Sequence, residues 1–200
     1  LATTIADQSD LRRDDYIKRS SIPDWTLARQ DVALIVQMLK SQASRPALPV
    51  RDSIMAENIR WILDREGPDA RMVVSAHNGH VANVFLSVGG MGWHLRKMFR
   101  NDLVTFGFAF NQGSFQAVDI PPSAQRVRQF TVGPAKEGSL DATLAAAGLS
   151  IAAVNFHDIP KEGPVADWFN KPQETRIVGA NFGERFTREY LSSGYPQVLT

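Results

Sequence analysis

The apolar positions change their spacing along the chain, and the change marks its organisation. Ala28, Val32, Ile35, Val36 and Leu39 fall at i, i+4, i+7, i+8 and i+11. That is the stripe of a helix packed on one face, and the polar stretch at 41–46 ends it. Pro49 opens a second helix over about residues 50–65, closed by Gly67-Pro68. Ahead of both, residues 1–22 are charge-dense (Asp7, Asp10, Arg12, Arg13, Asp14, Asp15, Lys18, Arg19), which suits an exposed helix or loop better than core.

Beyond residue 71 the helical spacing gives way to short apolar runs. Residues 72–76 have the texture of a buried, parallel strand. A turn-rich stretch over 77–92 leads to a short helix at about 93–100. Strand-like runs at 103–110 and 115–120 are separated by the turn signal Asn111-Gln112-Gly113-Ser114. Residues 127–132 suggest a further strand, 139–147 a capped helix, 151–156 a buried strand and 176–178 another. Helices first, then strands alternating with helices, favour a layered α/β domain with a mainly parallel sheet and flanking helices. The chain reads as one domain over 1–200, with a helical segment at 1–48 and the α/β part at 49–200.

Composition narrows the function. The 200 residues are 44% hydrophobic and 22% charged, the proportions of a soluble globular protein. No stretch approaches eighteen uninterrupted apolar residues, so no membrane partner is expected. Lys and Arg total 22 against 21 acids, without the basic excess that a nucleic-acid footprint requires. The absence of cysteine removes disulfides, thiolate metal sites and cysteine nucleophiles together. It leaves the compartment open, with the cytoplasm as the default expectation. The chain starts at Leu1 with no signal-like segment behind it, so it is expected not to begin where its gene begins.

Two places carry candidate chemistry. On the helix at 50–65, Arg51 and Asn58 lie seven residues apart and share the stripe of Ile54, Met55, Trp61 and Ile62. Polar groups turned inward must find partners. They either tie the helix to its neighbours or line a polar site. The second place is Ser75-Ala76-His77-Asn78-Gly79-His80, immediately after the apolar run, where open α/β sheets carry their ligands. Two of the four histidines stand here, three apart, with Gly79 permitting a tight turn. They could be satisfied structural histidines. They could be metal ligands, although zinc needs three or four protein ligands and no third presents itself at a telling spacing. They could also perform acid–base work, which requires a partner to set the imidazole tautomer.

Carboxylates are scarce nearby: between 71 and 157 the only acids are Asp102, Asp119, Glu137 and Asp141, and the nearest upstream are Asp52 and Glu57. Gly89-Gly90-Met91-Gly92 lacks dinucleotide-loop spacing, and no G-x-S-x-G elbow exists. His94 suits a helix cover, and His157-Asp158 a strand end that could reach a site. Phe106, Phe108, Phe110 and Phe115 alternate as core or pocket wall, and Trp168-Phe169 reads as a buried anchor.

The segment Arg51-Asp52-Ser53-Ile54-Met55-Ala56-Glu57-Asn58 followed by Trp61, and then Ser75-Ala76-His77-Asn78-Gly79-His80-Val81, closely resembles the erythromycin esterase family. That family includes succinoglycan-biosynthesis-like members. Met91-Gly92 with Leu95, the run Phe106-Gly107-Phe108-Ala109-Phe110, Gly113-Ser114-Phe115 and the region from Arg176 to Tyr195 follow the same order. The resemblance implies a hydrolase without a serine nucleophile, in which His and Glu side chains activate water to open an ester or macrolide lactone. It implies catalytic roles for His77 and His80, with Arg51, Asn58 and Asn78 orienting them or the substrate. The implied partner is a small-molecule ester or lactone, tied to macrolide resistance, with no cofactor and no metal. Family members also carry a GExxHG-like motif in an amino-terminal half, and this sequence contains none. The chain is therefore expected to be the carboxy-terminal part of such a protein, inactive alone. The competing class is a non-enzymatic relative that binds a metal or haem-like ligand through His77 and His80.

Overall fold

The computed structural model describes residues 2–44, 47–85, 88–120, 126–183 and 190–193, and divides into two compact units, residues 1–72 and 73–200. The first unit is helical: α1 (Ala2–Leu11), α2 (Arg13–Arg19), α3 (Ile22–Ala43) and α4 (Ala47–Glu66). Ser21 caps α3, its hydroxyl accepting the Asp24 N–H at 3.2 Å, with Pro23 in the first turn. Helix α4 starts ahead of Pro49, which therefore sits where its missing N–H has no intrahelical use. It ends at Gly67, whose φ of +103° favours glycine and whose N–H donates to the Leu63 carbonyl at 3.1 Å. Helices α1 and α3 are tied by a two-pronged ion pair, Arg29 Nε to Asp10 Oδ1 at 2.7 Å and Arg29 Nη2 to Asp10 Oδ2 at 3.0 Å.

The second unit runs α5 (Asn78–Val81), β1 (Val84–Phe85), β2 (Val88–Gly89), α6 (Met91–Phe99), β3 (Gly113–Asp119), β4 (Val127–Val132), α7 (Leu140–Ala145), α8 (Pro164–Phe169), β5 (Gln173–Arg176), β6 (Asn181–Phe182) and β7 (Tyr190–Ser193). Strand β3 is central to a three-stranded sheet, antiparallel to β4 and parallel to β6. One face carries the core: Ala117, Phe130, Val132 and Phe182, with Phe110, Phe115 and Val178 packed against them. Phe115 stands opposite Phe130 across the ladder and meets Phe182 edge to face at 4.8 Å. A smaller cluster gathers Leu144, Phe156 and Trp168 around Leu140 of α7, a helix capped by the Ser139 hydroxyl.

The mixed α/β character agrees with the hydrophobic pattern, but a mainly parallel sheet does not form among the described residues. Three of the ladders, β1–β2, β3–β4 and β5–β7, are antiparallel, and only β3–β6 is parallel. The runs at 72–76, 103–110 and 151–155 join no ladder at all. Val73 is 98% exposed, Phe106 71%, Phe108 77% and Ile151 92%. A short apolar run encodes readiness for burial, while the strand that would bury it is chosen by pairing at long range. The strand placed at 176–178 lies instead at β5, overlapping it only at Arg176. There the Thr175 hydroxyl and Arg176 N–H both donate to the buried Asp141 carboxylate, at 3.2 and 2.9 Å. On α3 the stripe is only partly covered, with Ile35 50% and Leu39 47% exposed.

Candidate functional site

The two-histidine loop folds as the single-turn helix α5, and His77 is its N-cap. The ring Nδ1 of His77 accepts the Gly79 N–H at 3.1 Å, while its carbonyl accepts the N–H groups of His80 at 2.8 Å and Val81 at 3.3 Å. The other ring nitrogen, Nε2, lies 2.8 Å from the carbonyl oxygen of Val178, 101 residues along the chain. A carbonyl can only accept and a backbone N–H can only donate. In this arrangement Nδ1 is the accepting nitrogen and Nε2 the one that faces an acceptor. Both nitrogens are engaged even though His77 is exposed overall.

Asn78 makes a second long tie. Its Nδ2 donates to the Phe108 carbonyl at 2.6 Å, and its Oδ1 accepts the Phe108 N–H at 3.1 Å. One side-chain amide thus satisfies both main-chain groups of residue 108, as a neighbouring strand would. Behind the turn, α6 presses on α5 so closely that a Cβ on Gly92 would collide with the Val81 carbonyl. A Cβ on Gly90 would stand 2.8 Å from the Ala82 oxygen and 2.9 Å from the Gly79 oxygen. These glycines are required by the approach of backbone to backbone. Met91 and Leu95 of α6 are buried at 1% and 5% exposure, and His80 is half-buried.

The remaining sequence candidates belong to other elements. In the first unit Asn58 is half-buried between α3 and α4: its Nδ2 donates to Gln37 Oε1 at 3.1 Å and its Oδ1 accepts from Gln30 Nε2 at 2.9 Å. Arg51 is exposed, and the buried positions of α4 among the described residues are Asp52 at 2% and Ala56 at 0%. A step of one residue turns a helix by about 100°, enough to carry Arg51 off the buried face assigned to it. Asp52, noted in the sequence only as a nearby carboxylate, holds that face instead. Its i, i+4 spacing to Ala56 was the available signal. His94 meets the Trp93 ring edge-on at 4.8 Å. His157 is exposed in a short 3-10 turn, its N–H donated to Asn155 Oδ1 at 3.2 Å. Phe110 and Phe115 belong to the core, whereas Phe106 and Phe108 are exposed.

Among the described residues no three His, Asp or Glu side chains gather as a metal-holding group. A pocket of about 580 Å³ opens between α1, α2 and α3, lined by Tyr16, Arg19, Trp25 and Val32 among others, and it contains none of the candidate residues. Among the described residues no helix is long and apolar enough to cross a membrane.

The family model described as erythromycin esterase matches residues 2–195. Erythromycin esterase type II of Escherichia coli is 26% identical over 121 residues, covering 56% of this chain and 29% of that protein. A Bacillus subtilis (strain 168) protein, YbfO, named as a hydrolase, is 29% identical over 141 residues, covering 65% of this chain and 30% of its own. A crystal structure of a Bacillus cereus protein matches the fold with a TM-score of 0.78 at 17% identity, over 99% of this chain and 48% of that one. The chain thus spans less than a third of the curated relatives and about half of the solved structure. The chain belongs to the erythromycin esterase family.

Proposed function

We propose that the intact protein hydrolyses carboxylic esters, macrolide lactones among them, by activating water with histidine and glutamate side chains. The observation that carries this reading is the turn His77-Asn78-Gly79-His80, which holds two imidazoles one helical turn apart. It is clamped to residues 108 and 178 from two sides. Positioned imidazoles are the commonest groups for moving protons to and from a reacting water. Preorganisation of this kind is what such work requires. The family resemblance implies a hydrolase without a serine nucleophile, so the proposed chemistry proceeds by direct attack of water. The family pattern adds a His and a Glu from a GExxHG-like segment, which these 200 residues do not contain. Within the unit at 73–200, His77 and His80 share the acid–base and orienting work, and Asn78 fixes the turn.

The test is turnover of a panel of activated carboxylic esters and of a 14-membered macrolide lactone by the intact protein, beside its His77→Ala and His80→Ala variants. Release of the carboxylic acid product by the parent, strongly reduced in the variants, supports the assignment. Undiminished turnover in both variants sinks it.

A further inference from the structure

A carboxylate kept out of water is costly unless donors occupy its lone pairs, so a buried acid marks a fixed point of a fold. Asp141, in the first turn of α7, is 3% exposed. Its Oδ2 accepts the Thr175 hydroxyl at 3.2 Å and the Arg176 N–H at 2.9 Å, both from β5. Two residues beyond Arg176, the Val178 carbonyl lies 2.8 Å from Nε2 of His77. We infer that Asp141 is a positioning residue for the two-histidine turn: it holds the main chain at 176 and thereby sets where the Val178 carbonyl meets the His77 ring. The consequence for turnover rests on the hydrolase reading above, whereas the consequence for the ring stands apart from it.

Two residues of extended chain span at most about 7 Å, so a movement at 176 reaches 178 with little slack. The side-chain ties that β5 makes to other partners are more exposed. Glu174 pairs with Lys136, their side chains 44% and 56% exposed, and Arg176 Nη2 donates to the Gly133 carbonyl at 3.0 Å on the surface. Exposed ion pairs contribute little. The rival anchor for residue 178 is its own side chain, which packs against the core that holds Phe130 and Phe182. Apolar packing fixes depth but not the direction in which a carbonyl points, and a hydrogen bond to an imidazole depends on that direction. The Asp141 tie acts on the main chain itself. At the other end of the path, Nδ1 of His77 accepts the Gly79 N–H and starts α5, so a displaced ring is a displaced turn.

The experiment compares the intact protein with Asp141→Asn, Asp141→Leu, Asp141→Glu and Thr175→Val, each checked for native circular dichroism. The readouts are the His77 ring resonances in long-range proton–nitrogen NMR, and kcat and KM on an ester that the parent turns over. Asparagine can still accept the Arg176 N–H, so Asp141→Asn should keep the ring resonances and a kcat close to the parent's. Leucine offers no acceptor, and glutamate carries its carboxylate one methylene further out. Both should shift the ring nitrogens of His77 and lower kcat about tenfold, with KM within about twofold of the parent. Thr175→Val removes a buried hydrogen bond without touching the Arg176 N–H. It should lower the urea midpoint and leave His77 and kcat as they are, which separates positioning from a general loss of stability. Should Asp141→Leu fail to fold, Asp141→Glu carries the same prediction. The inference is overturned if either folded variant keeps the parent's His77 resonances, or if Asp141→Asn or Thr175→Val moves them as far. A shifted ring with an unchanged kcat also overturns it. A parent that turns over no ester sinks the hydrolase reading instead, and the ring resonances then still decide whether Asp141 positions His77.

Discussion

At residue 92 a hydrogen is the largest substituent that fits, because the Val81 carbonyl occupies the place of a side chain. Gly92→Ala must push α6 away from the turn that carries both histidines, and overpacking of this kind costs about 1–3 kcal/mol. Urea unfolding of the variant should show a lowered midpoint with an unchanged slope, and a midpoint equal to the parent's would mean the close approach is not held in solution. The histidine pair was legible in the sequence because its two members are three residues apart and follow an apolar run. What each ring nitrogen does was not legible. The partners of His77 and Asn78 lie 101 and 30 residues away, and nothing local to the motif names Val178 or Phe108. Asn78, read as a group orienting substrate, spends both ends of its amide on the main chain of residue 108.

Between helices α3 and α4 the glutamines at 30 and 37 close on Asn58 from two sides. Asn58→Ala removes both partners at once from a part-buried contact. A loss of about 1–3 kcal/mol is predicted, at the scale of polar groups left unsatisfied, read as a lowered thermal midpoint; an unchanged one would mean that water replaces the amide freely. Helix α1 adds a pH-dependent tie. The hydrogen bond from Arg29, reinforced by its charge, holds the Asp10 carboxyl below the usual carboxylate range. A carboxyl lowered on folding contributes stability that is complete above its unfolded pKa of about 3.9 and is lost as the pH falls through the lower, folded value. Asp10→Asn should therefore be less stable than the parent at neutral pH, with the gap closing under acid, and a gap independent of pH would remove the ion pair as its cause. Both long helices were readable from spacing and from the Pro and Gly that bound them. Their buried faces were not, because a stripe in the sequence does not say which neighbour covers it, and the centre of α4 falls at Asp52 and Ala56.

Across the whole molecule the apolar runs at 72–76, 103–110 and 151–155 stand out, with Val73, Val104, Phe106, Phe108 and Ile151 all more than two-thirds exposed, at 98, 72, 71, 77 and 92%. Exposed apolar surface on this scale marks a place of association. The 200-residue chain on its own should bind an apolar fluorescent dye and show a mass in light scattering that rises with concentration. A strictly monomeric, dye-free chain would contradict that. The α/β alternation was legible in the order of elements, and the pairing was not, since the one parallel ladder among the described residues joins strands more than sixty residues apart along the chain, at Val118 with Asn181 and Asp119 with Phe182. The central proposal is that the clamped turn bearing His77 and His80 serves the hydrolysis of an ester by water. The measurement that bears on it most directly is kcat/KM of the intact protein and of its His80→Ala variant on an ester that the parent turns over. The predicted result is a fall of about 10²-fold or more, with the fold retained; a folded variant with the parent's kcat/KM would contradict the claim.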